Sequence, residues 1–129
     1  MIKDTVSFDV KVTGELSGQE LEGVFDLKTK LSAKERFKED ELRRAFLGIN
    51  AAEASNEAFQ LASVLAFLRV RTLKAPKWWT EAGYGGDIED MNVIEEVNKL
   101  ACEAIAAEYK KLTDKATDAQ KSLKAELNK

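Results

Sequence analysis

Both tryptophans and the only proline of this chain fall within Pro76-Lys77-Trp78-Trp79, at the junction of two helical patterns. Burying a tryptophan is worth roughly 2–3 kcal/mol, so two of them in a connecting segment must pack on something. Either the chain's own core or another chain supplies that surface, and the choice decides what the segment does.

The elements on either side are legible from periodicity. Val6, Phe8, Val10 and Val12 alternate with Ser7, Asp9, Lys11 and Thr13, and after a turn bracketed by Gly14 and Gly18 the alternation resumes in Leu21, Gly23, Phe25 and Leu27. A period of two marks half-buried strands, so residues 1–31 are expected to form a β-hairpin with a loop of about six residues. A lone hairpin is marginal in water and must lie on helices or join a neighbour's strands. Lys3, Lys11, Lys28 and Lys30 guard its edges against uncontrolled pairing.

Ser32 and Glu35 have capping-box spacing, and the helix they start runs through Phe37, Leu42, Ala45 and Phe46 to a stop at Gly48. Its other side is crowded with charge and reads as a solvated face. Asn50 or Ser55 caps a second helix, in which Phe59, Leu61, Ala62, Val64, Leu65, Phe67 and Leu68 cover most of the circumference. That distribution predicts the most buried element, with Phe59, Leu61, Leu65 and Leu68 in the core. Residues Arg69 to Lys74 either complete this helix or leave it as extended chain, and Pro76 forces Ala75 out of helical geometry before the tryptophan loop.

Gly83, Gly85 and Gly86 mark a further loop. A third helix is expected to start with Asn92 as cap and Glu95 as its box partner, with Val93, Val97, Leu100, Ala101, Ala104, Ile105 and Leu112 as its apolar stripe. Ala116, Ala119, Leu123 and Leu127 keep helical spacing among many charges, either as a weakly docked fourth helix or as one that forms against a partner. The expected class is α+β: an N-terminal β-hairpin packed on a mainly helical domain of three to four helices. It divides into one globular domain over 1–112, with its helical part at 32–112, and a charged, helix-prone tail over 113–129.

Composition narrows the chemistry. With 129 residues the chain has one real core, and 33% charged residues against the usual ~25% suit an exposed helical surface. Histidine is absent and cysteine occurs once, at Cys102, which removes the commonest general base and closes zinc and triad readings. Cys102 itself reads as a small buried thiol on a helix. Asp87, Glu89 and Asp90 cluster beside a loop, but no nucleophile or oxyanion donor accompanies them, and acids before a helix favour its dipole without any catalysis. The same run lacks EF-hand spacing. No catalytic, cofactor or metal residue is assigned, and no cofactor is expected. The N-terminus has no signal-peptide pattern, and Ala58–Val70 falls short of the ~20 apolar residues a membrane span needs, so a soluble protein of the cell interior is expected.

Arg69, Arg71, Lys74 and Lys77 flank the tryptophans and could grip single-stranded nucleic acid, yet Glu81–Glu96 follows with six acids and no base and would repel a phosphate chain. A net charge of -3 adds no cationic field, so nucleic acid is not the expected partner. A basic run beside an acidic one is a charge dipole. Identical chains with such a dipole can associate head to tail into a ring or open spiral, and the alternative is that the two runs pair within one chain. The candidate contacts with partners or other copies are Arg69, Arg71, Lys74, Lys77, Trp78, Trp79, Tyr84, Asp87, Glu89 and Asp90.

Across residues 20–112 the order of features resembles the tail assembly chaperones of long-tailed, siphophage-type bacteriophages. The matching residues are Leu47-Gly48 at the end of a charged helix, Pro76, Trp78 and Trp79 after an apolar one, Gly85-Gly86, and Asp90, Asn92, Val93 and Ile94 at the last helix start. The resemblance implies a non-enzymatic oligomer in the host cytoplasm that keeps the tape measure protein soluble and helps recruit tail-tube subunits, and that is not retained in the mature virion. It also implies a frameshift-extended form through which the major tail-tube protein is contacted. Trp78, Trp79 and Tyr84 are then the expected grip. The alternatives are a head-tail connector or tail-terminator ring protein, or a small terminase-like nucleic-acid module.

Overall fold

A computed structural model describes residues 2–48 and 50–127. Met1 and residues 128–129, at the ends of the domain and tail as divided above, lie outside the described residues.

Strands β1 (Thr5–Thr13) and β2 (Glu20–Lys28) pair antiparallel, with Phe8 opposite Phe25, Val10 opposite Gly23 and Val12 opposite Leu21. The alternation sorts their side chains as expected: Val10, Leu21, Phe25 and Leu27 are buried, while Ser7, Asp9, Lys11, Glu22 and Val24 face solvent. The first helix, α1 (Ala33–Leu47), begins with the Ser32/Glu35 capping box and ends at Gly48, whose N–H donates to the Arg44 carbonyl at 3.0 Å. After a 3-10 turn at Ala51–Glu53, Ser55 caps α2 (Asn56–Arg71) by accepting from the Ala58 N–H at 3.1 Å.

The ambiguous exit of α2 resolves into a strand. The Thr72 hydroxyl donates to the Leu68 carbonyl at 2.6 Å, and the chain turns extended into β3 (Thr72–Lys74), which pairs antiparallel with β2. The expected hairpin is therefore part of a three-stranded sheet in the order β1-β2-β3. Pro76, which has no N–H to offer a ladder, ends the pairing. The tryptophan segment is not a loop but a one-turn helix, α3 (Lys77–Thr80).

The last helix, α4 (Met91–Leu127), runs for 37 residues and continues unbroken past Leu112 into the expected tail. It lies along β1 in the opposite direction. Near its start the Asn92 amide donates to the Thr13 carbonyl at 2.8 Å, and further on Glu108 accepts from the Lys3 N–H at 3.0 Å while the Tyr109 hydroxyl donates to the Thr29 carbonyl at 3.1 Å. Between sheet, α2, α3 and α4 sits the core: Val10, Phe25, Leu27, Leu65, Leu68, Trp79, Ile94, Val97 and Ala101.

The helical hairpin of α1 and α2 departs most from expectation. No residue of α1 is buried, and in α2 only Ala62, Leu65, Ala66 and Leu68 are. Phe59 and Leu61, expected in the core, remain 48% and 36% exposed. The sheet covers only the C-terminal half of α2, so the apolar residues around its N-terminal half are covered in part, by α1, whose Arg43 lies over the Phe59 ring at 5.4 Å, and by the first turns of α4. Cys102 is also exposed, on the side of α4 turned from the sheet, and not the buried thiol expected. Among the described residues no helix is long and apolar enough to cross a membrane.

Candidate interaction surface

The aromatic junction is built into the core. Trp79 is 0% exposed, and its ring meets Phe25 edge-on at 5.5 Å and Trp78 at 6.2 Å, while Phe25 stacks on Phe8 at 5.3 Å. Trp78 is half-buried against the same cluster and donates its indole N–H to the Glu22 carbonyl at 3.0 Å, pinning α3 to β2. Among the described residues the buried Trp79 indole N–H has no hydrogen-bond partner, which makes its burial a matter of packing. A Cβ on Gly85 would stand 2.5 Å from the Trp79 ring, and the backbone there has φ 93°, so the loop can close over the indole only with glycine. Trp79 therefore cannot serve as the grip or partner contact expected of it, because folding consumes its surface. Tyr84 is half-buried with φ 54°, and the Arg69 guanidinium lies 3.4 Å from its ring centre.

Asp90 is likewise internal. Its carboxylate accepts from the Leu16 N–H at 2.6 Å, the Ser17 N–H at 3.2 Å and the Ser17 hydroxyl at 2.7 Å. The Ser17 hydroxyl, with the two amides behind it, holds the carboxyl below the usual aspartate range against the opposing effect of burial. Gly14 leaves room for that carboxylate, since a Cβ there would run into it. Asn92 completes the clasp, accepting from the Glu15 N–H at 3.1 Å and donating to Thr13. Asn92 lies inside the first turn of α4 and is not its cap; its side chain is spent on the β1–β2 loop, so the expected Asn92/Glu95 box does not form. Asp90 is thereby removed from the partner-contact residues.

The charged candidates divide. Arg71 is half-buried, paired with Glu39 of α1 and lying over Phe67, so it ties α2 to α1. Arg69, Lys74, Lys77, Asp87 and Glu89 are exposed. Among the described residues no ion pair joins the basic run to the acidic one; Arg69 meets the acidic loop only through the Tyr84 ring. Pairing of the two runs within the chain, one of the alternatives left open by the sequence, is thus not the arrangement found. Elsewhere Lys28 and the Ser32 amide hold the Glu35 carboxyl down to about 2, and Lys111, with the Lys3 amide, lowers that of Glu108.

What the sequence did not single out is the open apolar surface around the N-terminal half of α2. On one side of it, a groove of about 680 Å³ is lined by Ala58, Leu61 and Val64 of α2 and by Met91 and Ile94 of α4, with Glu57, Glu95, Asn98 and Lys99 at the rim. On the other side, a depression of about 520 Å³ is lined by Phe46, Leu47, Ala54, Ala58, Leu61 and Leu65, with Asn50 and Glu53 at its edge. Ala58 and Leu61 belong to both, which makes one apolar surface spanning α1, α2 and α4. The signal was the apolar circumference of α2, which burial and an uncovered binding face produce equally well. Past the sheet, α4 exposes Leu112 and Leu123 at the continuation of its stripe; the side chains of Ala116 and Leu127 lie outside the described residues.

Among the described residues no group of three or more His, Cys, Asp or Glu side chains could hold a metal ion. Comparison with known protein families, with curated proteins and with solved structures gives no match to this chain.

Proposed function

We propose that this protein is a non-enzymatic tail assembly chaperone of a long-tailed bacteriophage, which self-assembles, binds and solubilises the tape measure protein, and helps recruit tail-tube subunits. The resemblance of residues 20–112 to that family motivates the reading, and the observation that carries it physically is the open apolar surface centred on Leu61. A chaperone for a long helical client needs exposed apolar grip on a stable frame. Here the frame is the sheet, α3 and the first half of α4, and the grip moves from the tryptophans to Phe46, Phe59, Leu61 and Met91.

The host cytoplasm is the proposed site of action, and the mature virion is proposed to lack the protein. Coexpression with the tape measure protein of the same phage tests the reading. The client should stay soluble with this chain and precipitate without it. A client equally soluble alone, or this chain found stoichiometrically in purified virions, would overturn it, the latter in favour of a connector or terminator ring.

A further inference from the structure

We infer that α1 is a detachable cover: it comes off α2 as one unit while the sheet, α2, α3 and the first half of α4 stay folded, and its departure enlarges the apolar surface centred on Leu61. The inference goes beyond the function proposed above and does not depend on it, because the opening belongs to the chain itself. No residue of α1 is buried, and none belongs to the hydrophobic core or to the side chains packed against that core. The core is closed without it.

What holds α1 in place is thin and largely polar. It packs on α2, with Leu42 and Leu47 half-buried, Phe46 46% exposed and Phe37 75% exposed. The depression lined by Phe46 and Leu47 from α1 and by Leu61, Ala62 and Leu65 from α2 leaves their seam short of the close packing of a protein interior. Among the described residues, two ion pairs reach α1 from outside it, Glu35 with Lys28 of β2 and Glu39 with Arg71 at the end of α2, and Arg43 adds its contact over the Phe59 ring. Elements with so few buried apolar contacts open at free energies well below that of global unfolding. The chain between β2 and α2 then becomes one long connection, whose closure cost grows only with the logarithm of its length. A free helix of 15 residues is marginal in water, so once detached α1 also loses the protection of its amides. The α1-facing side of α2, with Phe59 and Ala62, and α1's own Phe46 and Leu47 join the surface already open at Leu61.

Native-state hydrogen exchange on the full-length protein tests the opening. Relative to their intrinsic rates, the amides of α1 should exchange as a group about 100-fold or more faster than those of β2 and of residues 93–105. Equal protection of α1 and the sheet, lost together in global unfolding, would overturn the inference. A second arm holds the cover off with full-length Leu42→Asp/Leu47→Asp, which removes both half-buried leucines of α1. The variant should keep the tryptophan emission of a buried Trp79 and bind several-fold more of the apolar dye anilinonaphthalene sulfonate than wild type. Emission shifted to that of an exposed indole would show that the frame unfolds with α1, and dye binding no higher than wild type would show that nothing is uncovered; either would contradict the inference. Both failures leave the proposed function standing, since Leu61 is already 36% exposed with α1 in place.

Discussion

The two ends of α2 are made of similar residues and meet opposite fates. Its C-terminal half carries Leu65, Ala66 and Leu68 into a core closed by Trp79, Phe25 and Val97, whereas Phe59 and Leu61, one to two turns earlier, stay open to solvent. The difference lies in what covers them. The β-sheet, the one-turn α3 and α4 enclose the C-terminal half, and the Asp90–Asn92 clasp holds the β1–β2 loop to the start of α4. Around the N-terminal half stand only the partly exposed α1 and the first turns of α4, which leave grooves on either side of Leu61. Apolar composition thus reports burial at one end and an uncovered apolar surface at the other.

The contrast predicts a steep gradient of mutational cost. Trp79→Ala should destabilise by about 3–5 kcal/mol in urea unfolding, enough to leave a small domain largely unfolded. Trp78→Ala, losing a half-buried ring and its bond to Glu22, should cost about 2 kcal/mol and leave a folded protein. If the two variants were equally damaged, the division between plug and flank would be wrong. Gly85→Ala should cost about 2–4 kcal/mol, from the clash with the Trp79 ring and the positive φ together; a neutral result would show that the loop does not bear on the indole.

The clasp sharpens the comparison at its polar end. Asn92→Asp should cost about 1 kcal/mol because it loses the donor to the Thr13 carbonyl, whereas a helix-capping role would make it harmless. Asp90 gives a pH signature. Its bonds favour the ionised carboxylate, so its stabilisation is present above the ordinary aspartate value of about 4 and lost as pH falls through the lower folded one. The stability gap between wild type and Asp90→Asn should therefore be wide near about pH 6 and shrink progressively as pH falls below about 4, read from urea midpoints. A small effect belongs to the open end: Phe59→Ser, which loses a half-exposed ring lying under Arg43, should lower monomer stability by about 1 kcal/mol. A loss of 2 kcal/mol or more would return Phe59 to the core.

Much of the frame was legible in the sequence because local chemistry fixes it. The alternation in β1 and β2, the Ser32/Glu35 box and the stop at Gly48 depend on near neighbours and form as read, and of the two caps the sequence offered for α2 it is Ser55 that forms. What was not legible depends on long-range company. Thr72–Lys74 becomes a strand only because β2 offers an edge, and Asn92 forgoes capping only because residues 13–15 lie within reach. Arg71 looked like a free basic residue until Glu39 was brought beside it. The open apolar surface was hidden for the same reason, since an apolar circumference does not say which part of it the rest of the chain will fail to cover.

Light scattering on full-length Leu61→Glu, beside wild type at equal concentration and low salt, tests most directly the claim that the surface centred on Leu61 serves partners and not the core. We predict that the variant shows a markedly lower mass than wild type, with an unchanged melting transition. A variant of wild-type mass, or one that has unfolded, would contradict the account.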